Sequence, residues 1–485
     1  MTKLYKSINF ITIILLVLSG CSATEESIEI PDENIDIESP TTPNVIVIKE
    51  GSDTIGDKHE EASDEEKDVL PEDDQNKPVE DNINVSDLLE DEELTEIAEE
   101  ENVTQDEIGT APEEIDESMK EDMYRIIHEY NSVLPDGITK ELLYTDYPIA
   151  YNYVLITSSS VNIRMQPDTA SKVIQGVVYG EKYSLIESVK GLYIEKYDSD
   201  TWYKISLKNG GDEIKTGYVF AALTEARNYQ FDKMLKEMNM LKGQLDNNTT
   251  GYINNYKNFN GTAPLYNGKT TDNYGHRRYQ SAALYDKPDT KSPFRYGLDG
   301  MLCNVLEETN YFYKVKVITF EGEYYVEKKY ISFENTITNL SQVLIVDRKY
   351  QNSALFEYRD NGWVMVSYVF VTTGKPGEYS LVTPLGHFMG IQKRNKFLYY
   401  GDGTKEIAGY APYALRFSGG GYTHGVPVNY IIKDDGEKID PGLKEYLHTI
   451  GTIPKSHMCV RNYTSHAKFL YDWFKVGSGA VIVIE

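Results

Sequence analysis

The chain has 485 residues, room for several domains, and a net charge of −29 that is unevenly placed. Residues 22–118 hold 36 Asp or Glu against 4 Lys, and the rest is close to neutral at +3. A near-neutral remainder excludes the basic footprint a nucleic-acid partner needs, and three scattered cysteines (Cys21, Cys303, Cys459) exclude a disulfide framework or a cysteine zinc cluster. The eight histidines show no paired ligand spacing, so neither a metal nor another cofactor is expected.

Residues 1–21 read as a targeting segment. Lys3 and Lys6 supply a positive start, and Ile11 to Leu18 an apolar run too short to span a bilayer. The run ends in Leu18-Ser19-Gly20-Cys21, which resembles a bacterial lipoprotein box and implies lipidation of Cys21. Two or three acyl chains there anchor a protein stably where one does not. Residues 22–118 are acidic, poor in aromatics and broken by prolines, so they cannot bury enough apolar surface to offset their ordering entropy. They read as a disordered tether. In residues 119–149 the spacing of Met119, Met123, Ile126, Ile127 and Tyr130 predicts a helical lead-in.

Residues 150–226 read as short strands: Val161-Asn162-Ile163-Arg164, Trp202-Tyr203-Lys204-Ile205 and Thr216-Gly217-Tyr218-Val219, punctuated by Pro167 and Gly180. Their order resembles the bacterial SH3-like domain, a module that binds cell wall or serves as a spacer. Phe231, Met234, Leu235, Met238, Leu241 and Leu245 form an apolar stripe at helical spacing, so residues 227–250 are a connecting helix. Residues 251–336 repeat the strand pattern in diverged form, with Phe312-Tyr313-Lys314-Val315 parallel to the Trp202 strand. Cys303 falls in an alternating run there and reads as a buried small apolar residue.

Residues 337–485 carry the chemistry. Ser456-His457-Met458-Cys459-Val460-Arg461 places a thiol among turn residues, with Thr423-His424-Gly425 upstream. A cysteine and a histidine in one domain are the minimum for a cysteine nucleophile with an imidazole to take its proton. These pieces resemble the bacterial L,D-transpeptidases of the YkuD type over roughly residues 338–485. The family's earlier signature appears as Thr373-Gly374-Lys375 and Thr383-Pro384-Leu385-Gly386. Two departures stand out. Met458 occupies the family's glycine position, and His424 precedes Cys459 by 35 residues, more than is usual in the family.

The resemblance implies a mainly β chain: a β-sandwich-like catalytic domain preceded by two small SH3-like β-barrels and the acidic tether. It implies Cys459 as nucleophile and His424 as base, with the Gly425 carbonyl orienting the ring. Backbone N–H groups of Met458 and Cys459 would hold the oxyanion, and Ser456 and His457 would shape the turn. His457 and His448 are alternative bases. Arg461 either meets a substrate carboxylate or bridges within the protein. Residues 391–420, rich in Gly and Tyr, occupy the place of the family's lid. The implied partners are peptidoglycan tetrapeptide stems, as donor and acceptor, and a carbapenem as covalent inhibitor. The implied place is the outer face of the bacterial cytoplasmic membrane, lipid-anchored and reaching the wall. An L,D-carboxypeptidase on the same scaffold and a non-catalytic wall-binding lipoprotein are the competing readings.

Overall fold

The computed structural model describes residues 124–207, 215–246, 248–402, 404, 406–433 and 436–485. The targeting segment with Cys21, the acidic tract, and Met119 and Met123 lie outside the described residues. Strands dominate, as the short Val-, Ile- and Tyr-rich runs demand, and among the described residues there are two α-helices.

The expected helical lead-in is not helical where it is described. Ile126–Glu129 is a strand beside Lys182–Ile194, and Ile138–Lys140 runs parallel to Gly362–Phe370. The reason lies in the apolar spacing. A lead-in helix would need one face buried, but Ile126 and Ile127 are both about half exposed. This stretch is held by backbone pairing to sheet edges rather than by a packed stripe.

The first sheet follows the order Val173–Val178, Ser160–Arg164, Lys215–Phe220, Ser199–Leu207, Lys182–Ile194, Asn152–Ile156, Thr224–Asn228. It wraps its own core of Val154, Ile163, Ile205, Val219 and Phe220 around Trp202. The Trp202 indole N–H donates to the Leu192 carbonyl at 3.0 Å, so this ring is a core residue and not a groove wall. Helix α1, Phe231–Leu245, buries Phe231, Met234, Met238, Leu241 and Leu245. It docks on the C-terminal domain through Gln230 to Asp347 at 2.8 Å and through the Trp363 indole to Asn239 at 2.9 Å.

The second small sheet has seven strands, from Phe294–Leu298 at one edge to Ile331–Ser332 at the other. Its inward residues Ile253, Met301, Leu302, Val315 and Val317 join the core of the C-terminal domain. Cys303 is fully buried there, and burial pushes its thiol up to about 12, so it is inert near neutral pH.

In the C-terminal domain Gly479–Ile484 lies between Gln342–Asp347, parallel to it, and Gly386–Met389, antiparallel. All six of its residues are buried, which explains its unbroken apolar sequence. A second sheet of five strands carries the functional motifs. Its longest pair, Gln392–Tyr400 with Ile407–Ser418, shows that the expected lid region is an antiparallel strand pair with a register shift at Tyr399–Tyr400. Helix α2, Thr464–Trp473, packs against that hairpin's inner strand and buries His466, Ala467 and Leu470. Among the described residues no helix is long and apolar enough to cross a membrane.

Candidate active site

Two short parallel strands, Gly421–His424 and Val460–Arg461, bring the motifs together. Thr423 pairs with Val460, and His424 with Arg461. His424 and Arg461 are register partners and so share one face, and Cys459 stands in the bend that leads into the second strand. The motif's first half is tied to the earlier signature. Ser456 bridges Gly374, and its N–H donates to the Thr373 carbonyl at 3.0 Å.

Cys459 is half-buried and rests against the turn Ser418–Gly421. Its thiol donates to the exposed Gly420 carbonyl at 3.6 Å. Desolvation pushes the thiol up to about 11, opposed by the Tyr422 N–H and by the Arg461 charge. The resting group is therefore a thiol, not a thiolate.

His424 is buried, with Nδ1 2.6 Å from the Gly425 carbonyl. A carbonyl only accepts, so Nδ1 carries the proton and Nε2 keeps its lone pair. Burial depresses the imidazole to about 4; the Gly425 carbonyl opposes this and the Arg461 charge adds to it. Arg461 thus favours a thiolate and disfavours an imidazolium. Gly425 has no room for a side chain, because a Cβ there would meet Thr464 Oγ1 at 2.9 Å. That close approach lets Thr464 accept the Val426 N–H at 2.9 Å and seat α2 beside the histidine.

Met458 is the strained point. Its φ is +146°, a region glycine enters freely and a side chain does not. Such a residue costs on the order of 1–3 kcal/mol and persists only where its surroundings hold it. Here they do. Thr383 Oγ1 donates to the Met458 carbonyl at 2.7 Å, and Ser456 Oγ donates to the Cys459 carbonyl at 2.5 Å. Gly374 lies so close that a Cβ on it would stand 2.6 Å from the Met458 Cα. The methionine side chain folds over Gly421, with Cε 3.3 Å from where a Cβ would sit there.

The remaining predicted residues separate. His457 is exposed and its Nε2 pairs with Asp402 at the tip of the hairpin, 3.1 Å away. His448 is half-buried, and its carbonyl lies near Gly180 of the first sheet. The backbone N–H of Arg461 donates to the Thr372 carbonyl at 2.8 Å, and its charge is felt at Cys459, His424 and Tyr399.

Sequence reasoning missed Asn462, whose N–H donates to the His424 carbonyl at 2.8 Å and whose Nδ2 donates to Thr423 Oγ1 at 2.8 Å. Its Oδ1 lies 3.0 Å from Nδ1 of the buried His466, which in turn reaches Ser367 at 2.9 Å. A polar residue after the motif arginine was the available signal. Among the described residues no cluster of three or more His, Cys, Asp or Glu could hold a metal. Two open clefts of about 280 and 330 Å³ flank residues 443–446, and neither is lined by Cys459 or His424.

A thiol in the bend entering one strand and a buried neutral imidazole on its parallel neighbour are the parts of a cysteine acyltransferase type of site on a mainly β scaffold. Comparison narrows this class. Residues 341–484 match the family model described as YkuD, the L,D-transpeptidase catalytic domain, and residues 159–225 match the bacterial SH3 domain. The C-terminal unit is therefore a YkuD-type L,D-transpeptidase catalytic domain, and the first small sheet contains a bacterial SH3 domain.

A comparison with curated proteins gives no match. Among solved structures, a fused Zn-dependent amidase/peptidase/peptidoglycan-binding domain-containing protein from Clostridium acetobutylicum is similar at 17% identity, over 30% of this chain and 51% of that one, with a TM-score of 0.20. An L,D-transpeptidase from Mycobacterium smegmatis is similar at 16% identity, over 42% and 78%, with a TM-score of 0.24. L,D-transpeptidase 3 from Mycobacterium tuberculosis, in complex with a faropenem-derived adduct, is similar at 17% identity, over 34% and 73%, with a TM-score of 0.23. The chain spans about half the length of the first of these, at 51%.

Proposed function

We propose that this chain is a peptidoglycan L,D-transpeptidase that forms 3→3 cross-links through a thioester on Cys459. What supports the reading is Cys459, set against Gly420 beside the strand that pairs with Gly421–His424, and a His424 ring whose Nδ1 is fixed by the Gly425 carbonyl, in residues that match the family model.

The thiol and imidazole are both neutral at rest, so the proton moves as the bond forms. Cys459 Sγ attacks the carbonyl joining the third stem residue to D-Ala, and His424 Nε2 takes the thiol proton. Backbone N–H groups of Met458 and Cys459 receive the oxyanion; one such donor contributes roughly 3 kcal/mol to the transition state. Collapse breaks the C–N bond, and the imidazolium gives its proton to the departing D-Ala amine. The side-chain amine of an acceptor stem then attacks the thioester, loses a proton to His424, and expels Cys459, which regains that proton. One peptide bond replaces another, so no nucleotide is consumed. The Arg461 charge, which favours the Cys459 thiolate, stabilises it as it departs, and Arg461 meets a stem carboxylate. Lipidated Cys21 holds the enzyme at the outer membrane face, and the acidic tract lets it reach the wall.

Intact-protein mass spectrometry with a disaccharide-tetrapeptide tests the central step. The expected adduct is the donor minus D-Ala on the wild type and nothing on Cys459→Ala. A folded wild type without an adduct sinks the reading. Adding an acceptor stem in excess should yield dimer; tripeptide as sole product would make the enzyme an L,D-carboxypeptidase. A carbapenem should add its mass at Cys459 in the same assay. Cys21→Ala should move the protein from the membrane fraction to the medium, and a variant that stays with the membrane would remove the anchor.

A further inference from the structure

We propose that Asp299, in the second small sheet, is a positioning residue for the Cys459 thiol; this rests on the reading of Cys459 as nucleophile. The Asp299 side chain is fully buried, and both its oxygens are committed. Oδ1 accepts the Asn255 N–H at 2.8 Å. Oδ2 accepts the Gly419 N–H at 2.9 Å and Arg416 Nη1 at 2.6 Å. The Arg416 guanidinium is itself nearly inaccessible and lies 4.3 Å over the Tyr256 ring.

These contacts converge on one short turn. Arg416 pairs with Tyr422 across it, and Gly419, at φ +50°, forms its corner. The same turn supplies both backbone contacts to the sulfur: the Gly420 carbonyl accepts the thiol, and the Tyr422 N–H faces it. Gln280 completes the seat. Its side chain lies 3.4 Å from where a Cβ on Gly419 would be, and its carbonyl accepts the Asp299 N–H at 3.0 Å.

A buried ion pair adds little net stability over apolar residues of the same volume. What it adds is direction. With Oδ1 held by the Asn255 N–H, Oδ2 sets the Gly419 N–H and Arg416 Nη1 at once, and so fixes where the carbonyl of Gly420 points. A displacement of about 1 Å at a reacting group can cost on the order of a hundredfold in rate. The second sheet is thus a working part of the site, although it contributes no reacting atom.

Two variants test this in the full chain. Asp299→Glu keeps the charge opposite Arg416 but moves the carboxylate by one methylene. The double variant Asp299→Asn with Arg416→Met removes the charge pair without leaving a buried charge and keeps a carbonyl oxygen as acceptor for a backbone N–H. The first readout needs no substrate: the pH profile of Cys459 alkylation by iodoacetamide. Its midpoint should rise by at least about half a unit as the Tyr422 N–H loses its hold. The second is acylation by the disaccharide-tetrapeptide. There kcat should fall at least about tenfold with KM within about threefold. Variants that melt like the wild type yet keep its midpoint and kcat overturn the proposal. So does a loss of rate that only follows the unfolded fraction. If the wild type takes no acyl group, the functional reading fails, and the alkylation profiles still decide whether Asp299 positions the thiol.

Discussion

The two small sheets are built from the same strand pattern and are used in opposite ways. The first wraps most of its inward residues around Trp202 and meets the C-terminal domain along one edge, where Tyr153 packs on Phe370 and Arg227 donates to the carbonyls of Gly451 and Thr452. The second gives its inward face to the catalytic core. Met301 bridges Phe388, Met389 donates to the Gly300 carbonyl at 2.8 Å, and Asp299 grips the turn behind Cys459. The first keeps a recognisable bacterial SH3 sequence over residues 159–225. In the second, positions that would shape a free-standing barrel answer instead to Phe388, Phe417 and Arg416. Divergence of a repeat here marks integration, not decay.

Matched glycine substitutions give the largest expected separation. Gly300 has φ +85°, and a Cβ there would stand 1.9 Å from the Phe417 carbonyl oxygen. A Cβ on Gly191, in the first sheet, would stand 2.3 Å from the Pro167 carbonyl oxygen and 2.4 Å from the Trp202 ring. Both changes to Ala should cost more than about 4 kcal/mol locally. Gly300→Ala should abolish acylation of Cys459, because the wall it distorts runs into the active-site strand. Gly191→Ala should unfold the first sheet and leave acylation within about threefold of wild type at a temperature where the catalytic unit is folded. Equal loss in both would show that the sheets are not used differently.

Acid should separate them next. Burial depresses His424 to about 4 and His466 to about 3, below the ordinary imidazole value of 6.5. Between pH 6.5 and about 4 the unfolded chain binds protons at both sites and the folded one does not, so stability falls as pH falls. The slope is about 1.4 kcal/mol per pH unit for each group, about 3 together. Both histidines lie in the catalytic domain, so its melting transition should slide down through this window ahead of the first sheet's. His424→Gln with His466→Gln should flatten that slope; an unchanged slope would remove these groups as its source. The acylation rate of folded enzyme should hold down to about pH 5, because His424 stays a neutral base. A limb near 6.5 would mean its ring is solvated.

Arg227→Met gives a smaller effect. It removes two hydrogen bonds to buried carbonyls, at 3.1 and 2.6 Å, and should cost about 2 kcal/mol. Limited proteolysis should then release the first sheet faster while the acylation rate stays put. A matching fall in acylation would tie the first sheet to the site as closely as the second.

What could be read from the sequence was what lies close together along it. The run Ser456–Arg461 and the pair His424-Gly425 are local, so these motifs could be picked out before any fold. Helix α1 was visible too, because its apolar stripe has a clear period. Ile126 and Ile127 misled because the same spacing occurs in an edge strand whose side chains remain exposed. Leu298-Asp299-Gly300 looks like an ordinary turn, and nothing local distinguishes an aspartate that caps a turn from one that holds a loop about 120 residues away. The hairpin of residues 392–418 was hidden by its glycines, since the pairing that makes it a ribbon is set by the partner strand.

The smallest expected effect is at Met458, and it tests how firmly the second sheet holds the turn. Met458→Gly relieves φ +146° and should return about 1–2 kcal/mol of strain, against about 0.5–1 kcal/mol of added chain entropy. The net is a gain of about 1 kcal/mol or less. The methionine also lies over Gly421, so its removal opens the thiol's cradle to water. Alkylation of Cys459 should therefore quicken severalfold. If Asp299 holds the Ser418–Gly421 turn and Thr383 holds the motif at the Met458 carbonyl, kcat should stay within about threefold, because the positions of the Gly420 carbonyl and the Cys459 N–H do not depend on the methionine side chain. A drop well beyond that would mean that the methionine itself packs the site into its reactive form. The burden now assigned to Asp299 would then be shared with a residue inside the motif.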